Sequence, residues 1–199
     1  MRVIGITGGV GTGKSAVMEM IAERPDCVTL KADEAAERLE KKGEPVYDAL
    51  VALLSKTVLD ETGELDRGKV AARIFQDDAL LHKVNRIVHP AVKQYILKQI
   101  EENRLREGCH FFFIEAALLI EDGYDRICDE LWYIYATEAV RRERLRVSRG
   151  YSPEKIDSIM QAQNSDAVFR KYCQRVIDNS GSLQETKEQL ARLFTEYQS

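Results

Sequence analysis

The sequence lacks the features of several large protein classes. Its four cysteines are widely spaced and form no CxxC pair, so neither a zinc site nor a disulfide framework is indicated, and reduced thiols are expected. No apolar run approaches the roughly 18 residues of a membrane span, and the apolar stretch at the N-terminus is too short for a signal peptide. These absences favour a cytoplasmic protein that has no membrane partner.

The chain also carries no excess of positive charge. Its formal net charge is −4, which argues against binding to nucleic acid or to an anionic membrane surface. Its 199 residues, of which 44% are apolar and 31% charged, are enough for one globular domain with its own core. The composition indicates no particular oligomeric state.

Five short apolar runs have the length and composition of buried strands. They are Arg2–Thr7, Val28–Lys31, His110–Glu115, Glu130–Ala136 and Arg175–Asp178. Segments with helical periodicity lie between them, and strands that alternate with helices predict a mostly parallel sheet covered on both faces. We therefore predict an α/β fold with a five-stranded parallel sheet, whose ligands bind at the carboxyl ends of the strands.

A glycine-rich loop follows the first predicted strand. Gly8, Gly13, Lys14 and Ser15 satisfy the pattern GxxxxGK followed by Ser or Thr, between a buried strand and an amphipathic helix. In this pattern the glycines let the backbone surround phosphate groups. The lysine pairs with the β- and γ-phosphates, and the hydroxyl is placed on Mg²⁺. A plain glycine turn needs neither Lys14 nor Ser15, so the loop predicts a P-loop NTPase fold.

Two of the connecting segments are too long to be simple crossovers. Residues 33–108 contain several helical runs, which we interpret as a helical substrate-binding insertion. Residues 137–174 are charged and helical with a break at Gly150, and Ser152 before Pro153 is typical of a helix start, so we predict a helical lid there. Residues 1–199 then form a single domain, and its nucleotide-binding core consists of residues 1–32, 109–136 and 175–199.

The loop does not by itself indicate what happens to the γ-phosphate. A regulatory GTPase would carry a guanine-reading NKxD sequence, which does not occur here, and an ATPase motor is usually larger or repetitive. A short chain with a long helical insertion and an arginine-rich segment fits a small-molecule kinase, which transfers the phosphoryl group to a hydroxyl.

Asp33 follows the second predicted strand and has two interpretations. Its carboxylate would face the same crevice as the phosphate loop, where it could accept the proton of an attacking hydroxyl or orient that group. It could equally be the N-cap of a helix over Glu34–Glu40. The residues alone leave both roles open, and one side chain can have both.

Other charged residues also have a functional and a structural interpretation. One or two arginines after the fourth strand would reach the γ-phosphate, whereas the rest would form a solvated face. The cluster consists of Arg141, Arg142, Arg144, Arg146 and Arg149. Glu115 or Glu121, near the end of the third strand, would help hold Mg²⁺, and Glu115 is better placed. His89 and Pro90 are predicted to start a helix.

Several short segments, in this order along the whole chain, resemble those of the dephospho-coenzyme A kinase family. Besides the loop over residues 6–15, they are Ala32-Asp33 with Ala36, Gly63-Glu64-Leu65-Asp66-Arg67 with Ile74-Phe75, Val88-His89-Pro90, Leu118-Leu119-Ile120-Glu121, Gln163, and Val176-Ile177-Asp178-Asn179-Ser180-Gly181. The resemblance implies transfer of the γ-phosphoryl group of ATP, with Mg²⁺, to the 3′-hydroxyl of the ribose of dephospho-CoA, the last step of CoA synthesis. It also implies that Asp33 is the catalytic base.

The loop and the resemblance together give the candidate site. The predicted catalytic residues are Asp33, Lys14 and Arg144, the acceptor-side residues Asp33, Arg67 and His89, and the Mg²⁺ ligands Ser15 and Glu115. The predicted nucleotide-binding residues are Gly8, Gly9, Gly11, Thr12, Gly13, Lys14, Ser15 and Ala16.

Three features depart from the family pattern. Ala16 stands where many members have threonine, and Ala117 replaces a proline while Glu115 stands near where others carry aspartate. The lid arginines are usually four residues apart, whereas Arg144 and Arg149 are five apart, which favours Arg144. The alternatives are another small-molecule kinase, for a nucleoside or nucleotide, and an ATP-binding regulatory module without activity. The intact catalytic residues argue against the second.

Overall fold

The computed structural model describes residues 1–75, 77–116, 119–120 and 122–197. Its strands are β1 Arg2–Thr7, β2 Cys27–Lys31, β3 Phe111–Glu115, β4 Glu130–Tyr135 and β5 Arg175–Asp178. Its α-helices are α1 Lys14–Ala22, α2 Ala32–Leu39, α3 Pro45–Leu54, α4 Arg67–Ile74, α5 Asp78–Arg104, α6 Glu138–Arg149, α7 Pro153–Gln161, α8 Asp166–Tyr172 and α9 Leu183–Glu196. Short 3₁₀ turns cover Lys56–Val58 and Tyr124–Arg126.

The five strands form one sheet in the order β2-β3-β1-β4-β5. β1 pairs in parallel with β3 on one side and with β4 on the other, and β4 pairs in parallel with β5. In this register Ile6 lies opposite Glu115 of β3 and opposite Trp132 of β4. The predicted α/β fold with a five-stranded parallel sheet is therefore confirmed, and each observed strand boundary is within one residue of its prediction.

Apolar side chains of the central strands fill the core between the sheet and two helices. The cluster combines residues of β1, β3 and β4 with Val17, Met18 and Ile21 of α1 and Phe194 of α9. Its aromatic rings meet edge to face, with 5.3 Å between the ring centroids of Phe113 and Trp132. Full burial of such a side chain stabilises the fold by roughly 1.5–3 kcal/mol, so this core fixes the end of β1 from which the glycine-rich loop emerges.

The chain divides into two compact units. One comprises residues 1–29 with 103–199, and the other residues 30–102. The second unit has its own apolar cluster of side chains from α3, the following 3₁₀ turn and α5. The assignment of residues 33–108 to substrate binding and of 137–174 to a lid stays a prediction.

One predicted helix start is wrong, and so is one of the two alternatives for Asp33. His89 and Pro90 do not start a helix, because they lie inside the 27-residue helix α5. Pro90 removes one backbone hydrogen bond there, but the buried side chains recur at every fourth position on both sides of it, which keeps one apolar stripe continuous. These side chains are Leu80, Val84, Val92, Ile96 and Ile100. Asp33 is not an N-cap either: α2 begins at Ala32, Lys31 is its N-cap, and Asp33 lies in the first turn.

The predicted break in the arginine-rich segment is confirmed. α6 ends at Arg149, and its C-cap Gly150 adopts a left-handed conformation with φ 61°. α7 then begins at Pro153, and the Ser152 hydroxyl accepts a hydrogen bond from the Lys155 N–H at 3.3 Å. Within the described part of the chain, no helix is long and apolar enough to cross a lipid bilayer.

Candidate functional site

The glycine-rich loop runs from the end of β1 into α1 and has the backbone that its glycines permit. Gly11 and Gly13 have φ of 83° and 88°, values that residues with a side chain rarely adopt. Gly13 is the N-cap of α1, so Lys14 and Ser15 occupy the first turn of the helix. Backbone N–H groups at a helix N-terminus favour anions, and this turn is where the sequence predicts phosphate binding.

The side chains of the loop hold its shape. The Lys14 ammonium donates to the carbonyl oxygens of Gly8 at 2.7 Å and Gly9 at 3.3 Å. The buried Thr12 hydroxyl donates to the Gly9 carbonyl at 2.8 Å. Ser15 is exposed on the first turn of α1, where its hydroxyl is available to a ligand. The predicted nucleotide-binding residues from Gly8 to Ala16 are thus one continuous loop and helix start.

Two arginines of α6 bind the outer side of this loop. Arg141 donates from Nε to the Val10 carbonyl at 2.9 Å. Arg144 donates from Nη1 to the Thr12 carbonyl at 3.2 Å and from Nη2 to the Asn179 carbonyl at 2.8 Å. The structure therefore brings Arg144 to the loop, while its predicted contact with the γ-phosphate stays a prediction. Two positively charged side chains of α6 thus donate hydrogen bonds to the backbone of the loop.

Two other arginines of the cluster form ion pairs on the surface, and the third is exposed. Arg142 pairs with Glu138 at 2.7 Å and with Asp157 of α7 at 2.6 Å. Arg146 pairs with Glu143 at 2.7 Å, and Arg149 is exposed at the end of α6. For Arg142 and Arg146, the solvated-face interpretation fits what the structure shows.

A buried polar network behind the loop was missed as a functional feature by sequence reasoning. Asn179, which is 1% exposed, donates from Nδ2 to the Thr12 carbonyl at 2.8 Å. Thr186 of α9 is fully buried, and its hydroxyl donates to Asn179 Oδ1 at 2.9 Å. A side chain at Gly13 would collide with Asn179 Nδ2. The matching segment over residues 176–181 was the available signal, but it named no partner for Asn179.

Gln163 also contacts the loop, and sequence reasoning gave it no role. Its Oε1 accepts hydrogen bonds from the Val10 N–H at 3.0 Å and from Arg141 Nη2 at 2.8 Å. The Arg141 guanidinium is half-buried, and burial lowers its pKa below the ordinary value of arginine. Because arginine side chains stay charged in proteins, Arg141 is a cation that has lost part of its hydration beside the loop.

Glu115, a predicted Mg²⁺ ligand, is the last residue of β3 and is half-buried. It lies opposite Ile6 in the parallel register, two residues before the loop starts at Gly8. The alternative ligand Glu121 lies outside the described residues, as do Ala117 and Leu118 of the neighbouring family segment.

The predicted acceptor-side residues belong to the unit of residues 30–102. Asp33 is exposed, and Glu37 and Glu40 follow it at helical spacing along α2 and its C-cap. Arg67, the first residue of α4, pairs with Glu37 at 2.6 Å, which raises the pKa of the guanidinium; Asp33 contributes to the same shift. The structure thus brings Arg67 near the acidic face of α2. His89 is half-buried in the middle of α5.

The chain is similar to known proteins over most of its length. The family model for dephospho-CoA kinase matches residues 2–185. A curated dephospho-CoA kinase of Aquifex aeolicus is 37% identical over 199 residues, covering 98% of this chain and 97% of that protein. Another, of Symbiobacterium thermophilum, is 35% identical over 190 residues, covering 96% of this chain and 79% of that protein.

A solved structure extends the comparison to three dimensions. The crystal structure of TT1252 from Thermus thermophilus superposes with a TM-score of 0.81 at 28% identity, covering 98% of this chain and 97% of the other. The phosphate loop, the parallel sheet and the whole-length match point to one family. On these grounds the chain belongs to the dephospho-CoA kinase family.

Proposed function

We propose that this protein transfers the γ-phosphoryl group of ATP to the 3′-hydroxyl of the ribose of dephospho-CoA, which gives CoA and ADP. The observation that carries the proposal is the match to the dephospho-CoA kinase family over residues 2–185. An intact phosphate loop with Lys14 and Ser15 supports an active kinase over a silent nucleotide-binding module. Because the family model matches most of the chain, it also favours dephospho-CoA as the acceptor over the nucleosides and nucleotides that related kinases phosphorylate.

Lys14 and Arg144 are the residues that we assign to charge stabilisation. In the structure the Lys14 ammonium lies at the Gly8 carbonyl, at the start of the loop. A lysine in this position pairs with the β- and γ-phosphates and follows the charge that develops during transfer. Arg144 already contacts the Thr12 carbonyl of the loop, and we assign its guanidinium to a phosphate oxygen of the bound nucleotide.

Asp33 is our proposed acceptor of the proton from the ribose hydroxyl. Asp33 lies in the first turn of α2 and is exposed. Because phosphoryl transfer passes through a loose transition state, this carboxylate would act as much by orienting the hydroxyl as by removing its proton.

Ser15 and Glu115 would hold Mg²⁺. A hydroxyl and a carboxylate are the oxygen donors that this ion prefers, and it usually takes one or two protein ligands beside phosphate oxygens and water. When bound, the ion neutralises the charge on the β- and γ-phosphate oxygens.

The remaining assignments concern the two units and the setting of the enzyme. We assign residues 33–108 to dephospho-CoA binding, with Arg67 and His89 on the acceptor side, and residues 137–174 to a lid over the nucleotide. A cytoplasmic location fits an enzyme whose substrates are ATP and a CoA precursor.

Release of ADP, measured in a coupled assay, tests the proposal. Dephospho-CoA should support turnover, whereas AMP, pantetheine and nucleosides should not, and Lys14→Ala should reduce turnover by several orders of magnitude because a central charge is lost. Circular dichroism of the same preparation controls for folding. Turnover with a nucleoside but not with dephospho-CoA would refute the acceptor assignment.

A further inference from the structure

Neighbouring side chains, and not the backbone conformation, leave no room for a side chain at Gly9 of the phosphate loop. Unlike Gly11 and Gly13, it is not among the glycines with positive φ, so its backbone does not require the absence of a side chain. A Cβ atom at this position would lie 2.7 Å from Gln163 Oε1 and would overlap the Arg141 guanidinium. The missing side chain at position 9 therefore makes room for Arg141 and Gln163.

Val10, Arg141 and Gln163 form a closed ring of hydrogen bonds, which we call the Val10 clasp. Gln163 Oε1 accepts from the Val10 N–H at 3.0 Å and from Arg141 Nη2 at 2.8 Å. Arg141 Nε donates to the Val10 carbonyl at 2.9 Å. Both backbone polar groups at the tip of the loop are thus satisfied from the side of α6 and of the segment after α7.

The segment that carries Gln163 is itself anchored. It joins α7 to α8, and α8 packs on β4 through Phe169, whose ring stacks on Tyr133 with 4.8 Å between centroids. Burial and the negative charge of Asp166, at the start of α8, raise the pKa of the Tyr133 hydroxyl. The segment that carries Gln163 therefore leads into a helix that packs on the sheet.

We propose that Gln163 is a positioning residue for phosphoryl transfer, which fixes the Arg141 guanidinium and the tip of the phosphate loop through the Val10 clasp. The proposal rests on the proposed kinase function. A loop that is held before the nucleotide arrives binds it without an ordering cost, and a guanidinium that is held in place stabilises polyphosphate charge without reorganisation. Gln163 acts through Arg141 and Val10, so its substitution should weaken the binding and use of the nucleotide and leave the binding of the acceptor unchanged.

Two substitutions at the same position separate this role from simple packing. Gln163→Met keeps the length of the side chain but removes the acceptor oxygen, and should lower kcat/KM for ATP and the affinity for ADP about 10- to 100-fold, the usual effect of losing a hydrogen bond to a charged group. Gln163→Glu keeps an oxygen for both donors and should stay within about threefold of the wild type. KM for dephospho-CoA should not change in either variant.

A double-mutant cycle with Arg141→Met tests whether Gln163 acts through Arg141. In that background Gln163→Met should lower the ADP affinity by less than it does in the wild type, because its charged partner is already absent and only the hydrogen bond from the Val10 N–H is left to lose. Gln161→Met, two residues away on the exposed end of α7, is the matched control and should behave as the wild type. Melting temperatures show which variants are folded, and Gln163→Ser provides a second truncation if the methionine variant does not fold.

The outcomes separate this proposal from the proposed function. ADP affinity is measured by calorimetry without an acceptor, so failure of the wild type to phosphorylate dephospho-CoA would refute the function alone. Wild-type ADP affinity in folded Gln163→Met or Gln163→Ser, equal losses in the glutamate and methionine variants, or additive losses with Arg141→Met would each overturn the positioning role.

Discussion

Thr186→Val tests the buried network that supports the phosphate loop from behind. The substitution nearly keeps the side-chain shape but removes the hydroxyl that donates to Asn179 Oδ1 at 2.9 Å. Asn179 is 1% exposed, so its oxygen would be left in the core with no water to replace the donor. An unsatisfied buried group of this kind costs about 1–3 kcal/mol in unfolding free energy. For a chain of this length a loss of ~2 kcal/mol lowers the melting temperature by roughly 4–8 °C.

The same helix provides the control for this experiment. Thr195 of α9 is exposed, and its hydroxyl donates to the Ala191 carbonyl at 2.9 Å, so Thr195→Val should change the unfolding free energy by less than about 0.5 kcal/mol. The assay is thermal unfolding followed by circular dichroism, with and without ADP. Because Asn179 also holds the Thr12 carbonyl, the gain in melting temperature on ADP binding should be smaller in Thr186→Val. Equal melting temperatures for the two variants would refute the reasoning.

Four further predictions concern single side chains. Ser55 has φ 69° and ψ 167°, a backbone conformation that favours glycine. Ser55→Gly should therefore raise the unfolding free energy, measured by urea titration, by about 1 kcal/mol. A similar gain from Ser55→Ala would contradict this explanation. Asp33→Asn should melt like the wild type but lose roughly 10²–10⁴-fold in single-turnover transfer; turnover restored by Asn relative to Ala would contradict the role of a base. Arg144→Ala should lower kcat more than it raises KM for dephospho-CoA, whereas Arg142→Ala, which removes only surface ion pairs, should not; equal effects would make Arg144 another surface residue. Burial raises the pKa of the Cys128 thiol from 9.0 to about 12, so the native state binds this proton more tightly than the unfolded state. The urea midpoint of unfolding should therefore fall as the pH rises from 9 to 12, and it should fall less steeply in Cys128→Ala. Identical pH profiles of the two proteins would exclude this thiol as a cause.

The strands and the phosphate loop could be predicted from local sequence. A buried parallel strand is a short apolar run, and β1 and β3 are close to that pattern over their whole length. The loop is defined by residues whose spacing follows from the geometry of phosphate binding, as Gly13 and Lys14 show. The strands and the loop are determined by residues that are close together in the sequence, so they can be recognised without knowledge of the fold.

The interpretation of His89 and Pro90 was wrong because a local rule competed with tertiary packing. Proline is favoured in the first turn of a helix and disfavoured inside one, so local reasoning places a start there. In the structure Val84 and Val92 on either side of Pro90 are both buried, and their burial outweighs the loss of one hydrogen bond.

The partners of Gln163 and Asn179 could not be predicted for a different reason. Gln163 is 153 residues from Val10 along the chain, and Asn179 is 167 residues from Thr12. A hydrogen bond across such a separation leaves no periodicity or spacing in the sequence.

The central place of β1 in the sheet has a consequence for synthesis of the chain. β1 is translated first, yet its neighbours β3 and β4 begin at residues 111 and 130, and Asn179 follows Thr12 by 167 residues. At about 5–20 residues per second, the loop waits on the order of 10–30 s for the side chains that brace it. Until then a nascent chain has the phosphate-binding sequence without the hydrogen bond from Asn179 to the Thr12 carbonyl. The loop that binds phosphate is therefore among the first segments to be made and among the last to be supported.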